Sequence, residues 1–180
     1  EKSIFDLVYQ DAPAQLANSH GTPKIPWDDN QQKLKDLDTT KLHFVMVQPN
    51  HIVIDFDLRG PDGNKSLEEN LKAANQFPQT YAEVSKSGQG IHLHYIYDGD
   101  VSKLSSLYDY NIEIKTFPGK SSVRRKVTNY NREQIATIST GLPLKEEKNM
   151  YPSVGEMIWT EQKIRTAIQR KLRREYHVNT

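Results

Sequence analysis

The sequence predicts an α+β domain with a mixed or mostly antiparallel sheet. Short runs in which apolar and polar residues alternate recur through the middle of the chain, and single helical segments or hairpin-like turns separate them. A third observation sets the scale: 180 residues with 36% hydrophobic side chains suffice for one domain with a wide polar surface and an appendage.

The first 30 residues read as irregular, since Pro13, Gly21, Pro23, Pro26 and the Asp28-Asp29-Asn30 cluster leave room only for a short helix over about 4–9. A helix over 31–37 comes next, then strands at 44–47 and 51–58 parted by the turn-forming Pro49-Asn50. Ser66-Leu67-Glu68-Glu69 has the form of a capping box. Behind it Leu67, Leu71 and Ala74 recur at helical spacing until Pro78 stops the helix. A strand at 80–84 enters the Ser- and Gly-rich loop 85–90, which leads into a strand at 91–97. A short helix at 102–107 and strands at 111–116, 123–128 and 135–140 complete the domain. From Pro152 the pattern changes. Ile164, Ile168, Leu172 and Tyr176 line one helical face, with Lys163, Arg165, Arg170, Lys171, Arg173 and Arg174 around it. The expected organisation is a domain over 1–150 and a basic C-terminal helix over 151–180.

The absence of Cys excludes disulfides, thiol catalysis and Cys-based zinc or iron–sulfur sites, so any metal falls to Asp, Glu or His. No window reaches the ~18 apolar residues of a membrane span, and the opening residues lack the basic and apolar regions of a signal peptide. The expectation is a cytoplasmic protein with no membrane partner. A start at Glu1 instead of Met suggests a processed chain or a domain of a longer one. The net charge of +1 hides an asymmetry: residues 1–80 carry 8 basic and 12 acidic side chains, residues 81–180 carry 16 and 11. The second half suits an anionic partner, although charges spread over a solvated surface explain the count equally well.

Three strands carry the chemistry. In the run from His51 to Leu58, period two sends Ile52, Ile54, Phe56 and Leu58 to one face and Asp55 and Asp57 to the other. Alternate Cα atoms on a strand lie ~6.5–7 Å apart, so both carboxylates can lean toward one divalent cation or bridge two. In the run 91–97, Ile91, Leu93, Tyr95 and Tyr97 alternate with His92 and His94, and the preceding Ser87-Gly88-Gln89-Gly90 offers a hydroxyl and permissive backbone to an anion. In the run 111–116, Ile112 and Ile114 alternate with Glu113 and Lys115. Each motif has a plainer explanation: an exposed acid pair, an ordinary glycine hairpin, a surface ion pair. Together they put three acids, two histidines and a lysine on one sheet face, which is what two-metal phosphoryl or nucleotidyl transfer requires. Downstream, Lys120, Ser121, Ser122, Arg124 and Arg125 are candidate phosphate or DNA contacts.

The ordered set Ile54-Asp55-Phe56-Asp57, the segment from Glu83 through Ser85-Lys86-Ser87-Gly88-Gln89-Gly90 to His94, and Ile112-Glu113-Ile114 resembles the three motifs of the archaeo-eukaryotic primase superfamily. The likeness is strongest to the primase-polymerase domains of phage and plasmid replication proteins, and it covers about residues 40–145. It implies a core with an RNA-recognition-motif-like sheet in which Asp55, Asp57 and Glu113 hold Mg²⁺ or Mn²⁺. Ser87, Gly88, Gly90, His92 and Lys115 would then take the triphosphate of an incoming NTP or dNTP. The stretch 115–125 is also similar to a segment that follows the third motif in Gram-positive phage replication proteins, and implies a general phosphate or template role. Such domains often precede a helicase in one longer chain, work on a single-stranded DNA template and primer, and, if phage-encoded, act in the host cytoplasm. No zinc module is present, so extension of a primer is a firmer expectation than its initiation. Two other readings stay open: a metal-dependent nuclease, and a catalytically silent DNA-binding initiation module.

Overall fold

The alternating runs form strands, and pairing between distant runs sorts them into two sheets. The computed structural model describes residues 1–146, so the helix expected over 151–180 lies outside the described residues. Among the described residues the helices are α1 (Ile4–Val8) and α2 (Leu67–Ala74). The strands are β1 (Ala14–Leu16), β2 (His43–Val45), β3 (His51–Phe56), β4 (Ala82–Val84), β5 (Ile91–Tyr97), β6 (Leu107–Asp109), β7 (Ile112–Thr116), β8 (Val123–Arg125) and β9 (Ala136–Ile138). The larger sheet runs β4-β5-β3-β7-β6 and is antiparallel throughout, and β9 adds to β5 in parallel beyond the end of β4. The smaller, antiparallel sheet is β1-β2-β8. An α+β fold with mostly antiparallel sheets is what the alternation predicts.

Period two divides the large sheet between two cores. Ile52, Ile54, Phe56, Ile91, Leu93, Ile112 and Ile114 all bury on the face that α2 covers. Full burial of such a side chain contributes ~1.5–3 kcal/mol, so this row dominates the stability of the sheet. α2 starts as its capping box predicts, with the Ser66 hydroxyl accepting from the Glu69 N–H at 3.2 Å. Its buried face differs from the expected one: Asn70 and Ala74 are buried and Leu71 is 44% exposed. The opposite sheet face is only half covered. There α1 and the small sheet bring Phe5, Tyr9, Leu34, Val45, Tyr81 and Val123 into a second core, and Phe5 packs against the rings of His51 and His94.

Two expected helices are reduced to single turns. Over 31–37 there is only a 3-10 turn, Leu34–Asp36. Backbone bonds from the Leu34 and Lys35 N–H groups to the Ala12 and Gln10 carbonyls hold this segment against the N-terminal one, so it is not free to coil on itself. Over 102–107 a 3-10 turn, Val101–Lys103, sits on an Asp100 cap, and Leu107 already begins β6. The first 30 residues are more ordered than their prolines and glycine suggest, because α1 and β1 find partners far along the chain.

Candidate functional site

Strand register assembles the site. Glu83 lies opposite His92, His92 opposite Asp55, and Asp55 opposite Glu113, so one row of acids and a histidine crosses β4, β5, β3 and β7. Residues directly opposite on antiparallel strands share a face with Cβ atoms ~4.5–5.5 Å apart. The row crosses the boundary between the covered and the open halves of that face. Glu83 is buried, Asp55 and His92 are partly exposed, and Glu113 is exposed.

Asp55 is gripped from both sides. One carboxylate oxygen lies 3.2 Å from His92 Nε2 and the other 3.1 Å from Lys115 Nζ. Burial opposes the charge, but the hydrogen bond and charge of His92, followed by Lys115, outweigh it and hold the carboxyl at about 2. Asp57 continues the pairing just past β3, its N–H donating to the Asn111 carbonyl at 2.8 Å, and its carboxylate stands 3.5 Å from Lys65 Nζ.

The Ser/Gly loop closes beside this pair as a tight hairpin. The Ser85 N–H donates to the Gly90 carbonyl, the Gly90 N–H donates to the Ser85 hydroxyl, and the Ser85 and Ser87 hydroxyls are 3.0 Å apart. Gly90 is required by space: a Cβ there would meet Ser85 Oγ at 2.9 Å and the Phe56 carbonyl at 3.3 Å. Gly88 is required by conformation, at φ +80°. Asn70 locks the arrangement from below. Its amide oxygen accepts from the Leu58 N–H at 2.7 Å and its amide nitrogen donates to the Gln89 carbonyl at 2.8 Å, so one buried side chain fixes the segments that follow Asp57 and precede His92.

These elements enclose a cleft of ≈ 260 Å³. Asp55, Asp57, Ser87, Gly90, His92 and Lys115 line it, joined by Lys65, Lys86, Arg124 and Lys126, a strongly cationic wall. Glu113 and Gly88 lie outside the lining. So do Lys120, Ser121 and Ser122, with Lys120 Nζ bonded to Asp28 at 2.8 Å on the surface. Hollows of ≈ 500 and ≈ 630 Å³ lie beside the start of α2 and between the end of α2 and β4, but neither gathers the acids.

Two residues sit otherwise than their sequence suggests. Arg125, with Glu83, lines the inner wall of the cleft but is not an open cation like Arg124. Its guanidinium, with the side chain 2% exposed, donates to both Glu83 oxygens, Nη2 to Oε2 at 2.6 Å, and to Asp6 at 2.9 Å, and it stacks on the Phe5 ring at 3.9 Å. Burial alone would raise the Glu83 carboxyl, but the Arg125 charge and hydrogen bonds lower it to about 2. His94 does not share the open face with His92. It is 1% exposed beneath Phe5, with its Nδ1 2.9 Å from His51 Nε2, and His51 Nδ1 in turn 2.7 Å from the Tyr9 hydroxyl. Burial keeps both rings neutral, pushing His51 down to about 3 and His94 well below its ordinary value.

No family model matches the chain, and no curated protein matches it either.

Among the described residues, no three His, Asp or Glu side chains are drawn together as a formed metal cluster. The donors nevertheless suit Mg²⁺ or Mn²⁺ in kind. Asp55, Asp57 and Glu113 offer hard carboxylate oxygens at one end of the open face, Asp55 is held ionised, and the two aspartates at present face lysines. Lys86 stands within the Ser/Gly motif and Lys126 ends the cationic run after Gly119, whereas nothing in the motifs points to Asn70 or Lys65. Asn70 left one signal, a polar residue between Leu67 and Ala74 on the buried stripe of α2. Lys65 left none, because a cation in a loop looks the same whether or not it faces a cleft. No helix among the described residues is long and apolar enough to cross a membrane.

Proposed function

We propose that this chain is the nucleotidyl-transfer domain of a DNA primase/polymerase, extending a primer on a single-stranded DNA template. The observation that carries the proposal is the register: it sets Asp55 between His92 and Glu113 and brings the Ser87 loop and a cationic wall to the same cleft. The resemblance to the primase superfamily supplies the polymerase; the residues by themselves supply a polyanion site beside ionised acids.

At ≈ 260 Å³ the cleft is smaller than the ~300–1,000 Å³ typical of pockets that enclose a whole ligand, so it suits a polyphosphate tail with sugar and base outside. In this reading Asp55, Asp57 and Glu113 hold Mg²⁺ or Mn²⁺. A bound divalent cation supplies activation of the attacking hydroxyl and neutralisation of charge on the phosphates. The Ser87 hydroxyl takes a phosphate oxygen by a hydrogen bond, the side-chain-free backbone at Gly88 and Gly90 lets the phosphates approach, and His92, oriented by Asp55, faces the same cleft. Lys115, Lys86 and Lys126 offset the remaining negative charge. Arg124, exposed on β8 at the cleft rim, is placed for template or primer phosphates, where binding falls as salt rises.

The test is extension of a labelled primer–template with Mn²⁺ or Mg²⁺, dNTPs and NTPs being supplied separately, beside an unprimed lane. Growing products that vanish in Asp55→Asn while the melting curve is unchanged are expected. Extension retained in Asp55→Asn would refute the assignment of the site, and DNA shortened without nucleotides would favour a nuclease.

A further inference from the structure

The two aspartates of the proposed cation site each hold a lysine. Lys115 Nζ sits 3.1 Å from Asp55 and Lys65 Nζ 3.5 Å from Asp57, and both lysines line the cleft. Resting on the function proposed above, we infer that Lys65 and Lys115 are exchangeable counter-ions that couple cation binding to polyphosphate binding, and that Lys65 is a polyphosphate-binding residue of this site.

A divalent cation that takes the aspartate oxygens must displace both ammonium groups. Each lysine side chain is about half exposed, Lys65 at 43% and Lys115 at 49%, so it can swing while its backbone stays in place. The displaced charges remain in a cleft already lined by Lys86, Arg124 and Lys126, an arrangement that is repulsive until a polyanion fills it. A polyphosphate that engages the freed lysines removes the competitors of the cation. By linkage, the cation strengthens the polyphosphate by the same factor. Lys65 belongs here by position, in the segment joining β3 to α2, whose Asn70 fixes the backbone beyond Asp57 and whose Leu67 N–H donates to the Gln89 side chain of the Ser/Gly loop.

The experiment measures Mn²⁺ binding to the whole chain by paramagnetic resonance of the free ion, without nucleotide, in wild type and in Lys65→Met, Lys115→Met, Lys86→Met, Asp55→Asn and Asp57→Asn. Lys86 lines the same cleft but is paired with neither aspartate. An exposed ion pair is a modest competitor, so Lys65→Met and Lys115→Met should each tighten Mn²⁺ about two- to fivefold and Lys86→Met by less. With saturating Mn²⁺, calorimetry with a non-hydrolysable dNTP analogue should show the reverse, severalfold weaker binding to Lys65→Met. A purely structural lysine would not tighten the cation. Unchanged Mn²⁺ affinity in Lys65→Met, or equal gains in all three lysine variants, overturns the exchange while leaving the site standing. Mn²⁺ binding that ignores Asp55→Asn and Asp57→Asn overturns the cation site itself, so the two failures are distinguishable.

Discussion

Neutralising Glu83 should unfold this domain more readily than any change in the open cleft. The carboxylate is buried and receives three hydrogen bonds from Arg125, whose Nη1 also reaches Asp6 across 119 residues of chain and lies 3.1 Å from His43 Nε2. Removing one member of a buried, hydrogen-bonded ion pair typically costs ~3–5 kcal/mol, because the other charge is left without its partner. Glu83→Gln keeps the shape and one acceptor, so the lower end, about 3 kcal/mol, is expected. Against a total stability of ~5–15 kcal/mol that is a large share, and in a domain this size it corresponds to a drop of about 6–12 °C in melting temperature. Arg125→Met should cost at least as much, since it strands two carboxylates, Glu83 and Asp6. The double variant should cost clearly less than the two losses together, because neither half of the pair is then abandoned. Urea unfolding followed by circular dichroism gives all three values. Single losses below about 1 kcal/mol, or losses that add within ~0.5 kcal/mol, would refute the claim that this pair is a buried, coupled unit.

The same carboxylate predicts the acid limb of stability. Glu83 is held near 2 against an ordinary 4.5, so its contribution is complete above pH 4.5 and disappears as pH falls toward 2; Glu83→Gln should flatten that limb in melts from pH 6 to 2. Asn70→Leu removes the partners of the Leu58 N–H and the Gln89 carbonyl; a loss of ~1–3 kcal/mol is expected, with faster amide exchange at residues 58 and 85–90. Exchange unchanged in both segments would remove Asn70 as their lock. Gly90→Ala drives a methyl against Ser85 Oγ and the Phe56 carbonyl and should cost ~1–3 kcal/mol, whereas Gly119→Ala meets nothing within 4 Å and carries only the strain of its φ of +59°. Equal losses in the two glycine variants would argue that space at Gly90 is not limiting.

Local rules made some of this architecture legible. β3, β5 and β7 alternate cleanly, and a strand with one buried face has little freedom in register, so the meeting of Asp55, His92 and Glu113 follows from pattern plus pairing. The Ser66 cap was readable for the same reason: its chemistry is complete within four residues. What could not be read depends on partners far away. Arg124, Arg125 and Lys126 look alike in sequence, and only Glu83 and Asp6 decide that the middle one turns inward. His94 and His92 alternate identically with their apolar neighbours, yet Phe5 and Tyr81 pack on the first, which is buried, while the second is partly exposed. The half-covered sheet face was invisible because its cover comes from a stretch whose prolines suggest no packing at all.

That cover bears on how the domain can be cut. The motifs fall within 40–145, but Phe5, Asp6, Tyr9, Ala14 and Leu34 lie before them, closing the second core and one side of the Arg125 network. A fragment begun at the first motif would open His51, His94 and Arg125 to water along a face that would then have to find another chain to hide it. Any fragment for expression or grafting into a fusion therefore has to include α1 together with Ser3, whose hydroxyl caps it.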